Sequence, residues 1–405
     1  MKKLSVIIVS YNVKYYLEQC ITSLLWAVRN IDHEIIVVDN HSKDGSVDYL
    51  TSRFQHKIRV VSSNHNLGFA KANNLAIRQS CGEYVLLLNP DTIVTEKAII
   101  NSVEFMGKDS SIGAVGVRMI KADGTNALES RRGIPTPMTA FYKMCGLCSL
   151  FPKSKRFGHY YMSGISWDEP HEIEVISGAF CMLRREAVFE VGLLDEDYFM
   201  YGEDIDLSYC LLQAGWKNWY LPYVMLHYKG ESTYKSSFRY VHVFYEAMLI
   251  FFRKHYGHLS FLITLPIKAA IVAKATMAVT GMLSKQWRDS LGLRRHEKNR
   301  QPLYVFIGSN YTLSQCRKIA KAKGLDAIFH EGTVGTLPEG HLSLNLPDTR
   351  PLVIVYDVNA YSYEQIFKIF IKGSMPLVTI GTYDNNTKKI ITQSEVIFDV
   401  QNYKQ

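Results

Sequence analysis

The sequence predicts an α/β protein built on a mostly parallel, doubly wound sheet, followed by a second, smaller α/β unit. Three observations lead there. Strand-like and helix-like segments alternate from Leu4 to Asp91. The strand-like segments are continuous apolar runs, as expected where helices cover both faces of a sheet. The same alternation restarts after Arg300.

The elements follow in order. "LSVIIVSYN" is a strand, and "VKYYLEQCITSLLWA" carries apolar residues at helical spacing. "HEIIVVDN" is a strand and "GSVDYLTSRF" a helix; "IRVVSSN" is a strand and "GFAKANNLAIRQS" a helix; "EYVLLLNPD" is the fourth strand. Each strand ends in a polar loop: Ser10-Tyr11-Asn12, Asp39-Asn40, Ser62-Ser63-Asn64 and Asn89-Pro90-Asp91. In open α/β sheets ligands bind beyond the carboxyl ends of the strands, so four polar ends on one edge form one site.

From Ile112 to Thr233 prolines punctuate a less regular stretch. It still holds a strand-like "EIEVISGAFCMLRR" and a helix beginning near "EDIDLSYCLLQAG". After Arg300, "PLYVFIGS", "TLSQCRKIAKAKG", "AIFH", "PLVIVYD", "SYEQIFKIFIKG" and "PLVTIG" read as strand, helix, strand, strand, helix, strand. This small Rossmann-like unit has no GxGxxG and no P-loop. The organisation expected is a first α/β domain over 1–235 that carries this site, a basic, aromatic helical segment over 236–300, and the small α/β domain over 301–405.

Composition narrows the class. With 47% hydrophobic and 21% charged residues, the 405-residue chain is a folded protein of two or three domains. No stretch near the N-terminus resembles a signal peptide. The seven cysteines are scattered, which fits a reducing compartment, and the single CxxC, Cys145 and Cys148, reads as structural. Lys229 to Arg300 carries 13 Lys or Arg against 4 acids, which accounts for the whole net charge of +8. Within it "LSFLITLPIKAAIVAKATMAVTGML" is long enough to cross a bilayer. Lys268 and Lys274 would each cost roughly 2.5–3.5 kcal/mol at the centre of a span. An interfacial helix on an anionic membrane surface is therefore expected over Leu259 to Leu283, the alternative being a helix packed on the protein itself. No nucleic-acid module accompanies the charge, so nucleic acid is not an expected partner.

Several residue types point to chemistry. Asp39 at a strand end suits a nucleobase or ribose, or an Asx turn. Gly68 opens a strand-to-helix turn whose helix N-terminus favours phosphate. "LLDEDYFMYGEDIDL" places six acids in twelve residues among aromatic side chains. Apolar neighbours raise a carboxylate's pKa, which is how a general base is made. Glu203 and Asp204 point about 100° apart on a helix, so they do different jobs. His227 ends an apolar strand and supplies a ligand type that complements Asp91.

Together, "SVIIVSYN", "VVDNHSKDGS", "NLGFAKANN", "LLLNPDT", "ISGAFCMLRREAVFEVGLLDEDYFMYGEDIDL" and "HYKGEST" resemble the family 2 glycosyltransferases of the GT-A fold, over about residues 4 to 255. Within them the chain is most similar to bacterial rhamnosyltransferase-type enzymes of O-antigen and capsule synthesis. The resemblance implies metal-dependent, inverting transfer from a nucleoside-diphosphate sugar, such as dTDP-rhamnose or a UDP-sugar. It makes Ser10, Tyr11, Asp39, Gly68, Asn73 and Asp91 nucleotide-sugar ligands, and Asp91 and His227 ligands of Mn2+ or Mg2+. Asp204 becomes the catalytic base. Arg131, Arg132, Gly178 and Glu203 become acceptor-binding, with a polyprenyl-diphosphate-linked glycan as acceptor and the cytoplasmic face of the plasma membrane as the place of action, peripherally bound. The DxD motif is reduced to Asn89-Pro90-Asp91, and the QxxRW of processive synthases is missing. The thinned motif leaves one alternative, a non-catalytic nucleotide-sugar or glycan-binding subunit that keeps the fold.

Overall fold

A computed structural model describes residues 2–228 except scattered positions between 137 and 155, then 238–257, 287, and 301–398 except 349 and 376. The expected interfacial helix at Leu259 to Leu283 lies outside the described residues. Among the described ones, no helix is long and apolar enough to cross a membrane.

The first layer is wound from β1 (Leu4–Ser10), α1 (Lys14–Ala27), β2 (His33–Asp39), α2 (Ser46–Phe54), β3 (Arg59–Ser62), α3 (Phe69–Gln79), β4 (Tyr84–Leu88), β5 (Thr92–Ile93) and α4 (Glu96–Lys108). It continues through β6 (Ile112–Ile120), β7 (His171–Glu172), β8 (Phe180–Arg184), α5 (Arg185–Glu190), α6 (Glu203–Gln213), β9 (Lys217–His227) and α7 (Phe238–His255). The sheet order is β3-β2-β1-β4-β8-β6-β9-β5, with β7 also on β9. The first four strands are parallel, and β8 runs antiparallel to both β4 and β6.

β1 shows why the sheet is covered on both faces. Its residues alternate between two cores: Leu4, Val6 and Ile8 face α1 and α4, while Ile7 and Val9 face α3, α5 and α6. Every residue of β1 is buried, which is why its sequence reads as an unbroken apolar run.

Two expectations need correction. The strand in "EIEVISGAFCMLRR" is confined to β8; from Ile173 to Ala179 the backbone is irregular, with Gly178 in a turn. The C-terminal unit also carries more than was expected. It contains β10 (Leu303–Gly308), α8 (Asn310–Lys323), β11 (Ala327–Glu331), β12 (Leu352–Asp357), α9 (Tyr363–Lys372), β13 (Val378–Asp384), β14 (Lys389–Thr392) and β15 (Val396–Phe398). Its sheet order is β11-β10-β12-β13-β14-β15, parallel through β13 and then closed by an antiparallel hairpin. The hairpin's strands are short, and the apolar runs in "TKKIITQSEVIF" are only two and three residues long.

The two sheets share a core. Val13, Tyr16, Ile93, Ile120, Leu226 and Tyr228 from the first pack with Ile354, Tyr356, Ile366, Phe370 and Ile380 from the second. The Ile380 N–H donates to the Ala122 carbonyl at 2.8 Å, and the Tyr16 hydroxyl to the Thr392 carbonyl at 3.0 Å. Gln19 donates to Thr382 at 2.6 Å. Between them lies a buried ion pair, Lys389 to Glu18 at 2.7 Å, with side chains 0% and 1% exposed. The ammonium also meets the Tyr49 hydroxyl at 2.9 Å. Breaking a buried pair strands a desolvated charge. Glu18→Ala is expected to destabilise the protein by about 3–5 kcal/mol, read as a loss of thermal midpoint that a Glu18→Leu, Lys389→Met double variant largely restores.

Candidate active site

The parallel strands deliver their polar ends to one edge. Ser10 and Asp39 are register partners on β1 and β2. Asp39 Oδ2 accepts the Ser42 N–H at 2.9 Å, which is the Asx turn. Its Oδ1, however, is buried without a partner, as is the Ser10 hydroxyl beside it. Buried polar atoms are normally satisfied, so two orphans side by side mark a place where a polar ligand completes the bonding. Tyr11, the next residue, is 41% exposed at the same edge.

Asn40 was not picked out in the sequence, yet it organises this edge. Its amide donates to Asn66 Oδ1 at 2.9 Å and to the Gly68 carbonyl at 3.1 Å, and its Oδ1 accepts the Leu67 N–H at 2.7 Å. Its position directly after Asp39 was the available signal.

Gly68 and Asn73 serve the protein rather than an open phosphate cradle. Gly68 has φ +80°, and a Cβ there would lie 2.6 Å from the Phe199 carbonyl oxygen. The first N–H of α3, from Phe69, is already donated to that carbonyl at 2.7 Å. Asn73 is buried within α3 and donates to the Phe69 carbonyl at 2.9 Å. The close approach Gly68 permits is that of the loop carrying Phe199.

Asp91 and His227 meet. The short β5 pairs antiparallel with the end of β9, Thr92 opposite His227. The Tyr228 N–H donates to the Asp91 carbonyl at 3.0 Å. This sets His227 Nε2 3.3 Å from Asp91 Oδ1, with side chains 9% and 4% exposed. Asn89, which stands where the motif loses its first carboxylate, has its amide 3.4 Å from the same ring nitrogen. His227 Nδ1 is buried without a partner. The pair offers one carboxylate oxygen and one imidazole nitrogen, two of the several ligands a divalent cation takes.

Tyr201 at φ +68° and Gly202 at φ +86° turn the chain into α6. That helix distributes its acids by angle. Asp204 Oδ2 accepts from Arg132 in a short ion pair and from the Gly178 N–H at 3.1 Å. Glu203, 6% exposed, has an oxygen without a partner. Burial, then the neighbouring Asp204 charge, pushes its carboxyl up to about 8. Asp206, 2% exposed, faces the other way and binds Lys254 at 2.9 Å and His255 at 2.6 Å on α7. The acid run is thus three environments rather than one solvated face. Sequence reading missed Lys254 and His255, whose partner lies on an element far back in the chain.

The two arginines part company. Arg132 sits beside Asp204 and also reaches the Ile176 carbonyl at 3.3 Å. Arg131 is 2% exposed, donates to the Ile165 and Ser166 carbonyls at 2.6 Å each, and lies 3.6 Å from the centre of the Trp167 ring. An acceptor phosphate cannot reach a guanidinium held this way, so the expectation for Arg131 is corrected: it braces a loop.

With this geometry in view, residues 5–192 match the profile of glycosyl transferase family 2. Residues 5–192 thus form a family 2 glycosyltransferase domain. The matched domain is that of a glycosyltransferase. The chain is 27% identical over 306 residues to N-acetylglucosaminyl-diphospho-decaprenol L-rhamnosyltransferase of Mycobacterium tuberculosis, covering 72% of this chain and 97% of that one. It is 28% identical over 213 residues to a low-salt glycan biosynthesis hexosyltransferase of Haloferax volcanii, covering 51% and 60%. A mannosyltransferase of Pyrobaculum calidifontis, solved with GDP-Man and Mn2+, aligns with 17% identity and TM-score 0.44 over 73% of this chain and 81% of that one.

Glu203 gives this glycosyltransferase a signed pH dependence. Its folded pKa lies above the ordinary carboxyl value of 4.5, at about 8. Between these values the folded state holds a proton that the unfolded chain releases, so this carboxyl contributes stability at acid pH that is lost as pH rises toward 8. Glu203→Gln is expected to leave the thermal midpoint unchanged near pH 4.5 and to raise it at pH 8.5, measured by circular dichroism.

Proposed function

We propose that this glycosyltransferase moves a sugar, with inversion, from a nucleoside-diphosphate sugar to a glycan carried on a polyprenyl diphosphate, in cell-surface polysaccharide synthesis. The observation that carries the reading is the gathering at one sheet edge of the orphaned Ser10 and Asp39 oxygens and the facing Asp91–His227 pair, in a chain that also holds Asp204 against Arg132 and Gly178. The lipid-linked acceptor rests on the mycobacterial relative, whose name specifies one. The donor is dTDP-rhamnose or a UDP-sugar.

Each residue then has a physical task. Asp39 Oδ1 and the Ser10 hydroxyl bind the nucleoside, with Tyr11 against the base. Asp91 and His227 would hold Mn2+ or Mg2+ on the side of the site where the donor's diphosphate lies. Bound there, a divalent cation supplies Lewis-acid stabilisation of the charge on the departing nucleotide. Asp204 takes the proton from the acceptor hydroxyl as that oxygen attacks the anomeric carbon. Gly178 and Arg132 fix the orientation of its carboxylate, and Glu203, carried neutral at pH 7, offers the acceptor a hydrogen-bond donor. Arg132 is the cation nearest the base and the one that meets the acceptor's charge.

The domain division belongs to the same reading: a catalytic unit over 1–235, a basic membrane-facing segment over 236–300, and a C-terminal unit over 301–405 that braces β9. The enzyme works peripherally at the cytoplasmic face of the plasma membrane.

A transfer assay across nucleotide sugars, with lipid-linked acceptor, tests the reading. Asp204→Asn should lower turnover by about 10²–10⁴-fold while calorimetric nucleotide binding survives; near-normal turnover would remove Asp204 from the role of base. His227→Ala should raise the Mn2+ concentration for half-maximal rate by at least about tenfold. An unchanged metal requirement there would refute the ligand assignment.

A further inference from the structure

One stretch of unusual composition is left over by the site. From Ser130 to Trp167 the sequence holds six Lys or Arg (Arg131, Arg132, Lys143, Lys153, Lys155 and Arg156) and no Asp or Glu. Of the two arginines that open it, Arg131 is buried against Trp167 and Arg132 lies beside Asp204, and the other four follow further along the sequence. This loop has a small core of its own, apart from those of the sheets: Tyr142, Cys148 and Tyr160, with Leu147, Phe157 and Tyr161 packed against them. Arg156 is part of it, donating to the Tyr142 hydroxyl at 2.8 Å.

A satellite core of this kind normally gathers the apolar side chains around it, yet here several stay outside. Leu150 is 70% exposed, Phe151 52% and Met138 51%. The foot of the loop is fixed beside the base. The Gly133 N–H donates to the Tyr160 carbonyl at 3.0 Å, the Ile134 N–H to Glu174 Oε2 at 2.6 Å, and Arg132 pairs with Asp204. The chain therefore leaves the candidate active site one residue after Arg132 and carries exposed apolar groups in an acid-free stretch.

We propose that this loop is a membrane-contact lip: Met138, Leu150 and Phe151 enter the headgroup–acyl boundary of an anionic bilayer, next to the acceptor side of the site. Charge selects the occupant, because a stretch with four further cations and no acid suits anionic headgroups and repels a basic partner. The exposed groups include the aliphatic Leu150 and Met138, which suit hydrocarbon; single-stranded nucleic acid is gripped by aromatic stacking platforms. The lip is distinct from the basic segment after Lys229, and it brings the bilayer to the loop that ends at the base. It deepens the lipid-linked acceptor reading and rests on it for its purpose, but its binding is measured with no acceptor present.

The test uses the full chain with phosphatidylcholine vesicles, with and without phosphatidylglycerol. The double variant Leu150→Ser, Phe151→Ser should bind anionic vesicles about tenfold more weakly than wild type, while circular dichroism shows it folded, since Phe151 gives up only its ring contact with Phe157. Phe151→Trp should keep binding and show a blue shift of tryptophan emission on anionic vesicles beyond that of wild type, quenched by brominated lipid. Wild-type vesicle affinity in the double variant, or no added shift in Phe151→Trp, would overturn the proposal. Equal affinity for neutral and anionic vesicles would overturn its electrostatic part. If the lip stands and the acceptor reading is wrong, vesicle binding persists while transfer to lipid-linked glycan fails.

Discussion

The pairing of a two-residue strand, Thr92–Ile93, with the end of β9 is the constraint on which the rest depends. One register, Thr92 opposite His227, puts Asp91 against the imidazole on one side. On the other side the same strands send Ile93, Leu226 and Tyr228 into the core shared with the C-terminal sheet. A strand this short has too few ladder hydrogen bonds to hold a geometry alone. What holds it is the packing behind: Tyr16 and Tyr228 meet edge to face at 5.6 Å, and Tyr16 is in turn bonded to β14. The C-terminal sheet is therefore part of the support of the Asp91–His227 pair.

A second constraint is the angular spacing of α6. Three acids within one turn are sent to three environments because successive residues diverge by about 100°. Asp204 finds Arg132, Asp206 finds Lys254 and His255, and Glu203 finds burial and its neighbour's charge. Opposite faces of a single helix thus hold Asp204 and bind α7, the first helix of the basic segment. Any shift of α7 against Asp206 bears on the backbone that orients Asp204.

Much of the architecture was legible. β1, β2 and β4 are buried on both faces, and their apolar runs stated this directly. The polar ends of the strands could be placed on one edge because parallel strands share a direction. Gly68 was legible as a special position, yet its reason was misread: the glycine makes room for the Phe199 carbonyl, a contact with a loop far along the chain. Asn73 and Arg131 carried the right residue type for ligand contact and spend it on internal carbonyls. The hairpin β14–β15 was missed because its strands are only four and three residues long, too short for a periodic signal; it is paired to β13 and tied down by the Glu18–Lys389 pair.

By itself the sequence determined the parallel α/β layering, the edge on which the site forms and the residue types available there. Hydrophobic period and strand-end polarity are local properties, written in consecutive residues. Only the tertiary structure decided which charges share a partner. Arg132 and Asp204 are separated by 72 positions and Glu18 and Lys389 by 371, and no local pattern encodes such pairings. They exist because the sheet, once folded, closes those distances to hydrogen-bond length inside a medium that penalises any charge left alone.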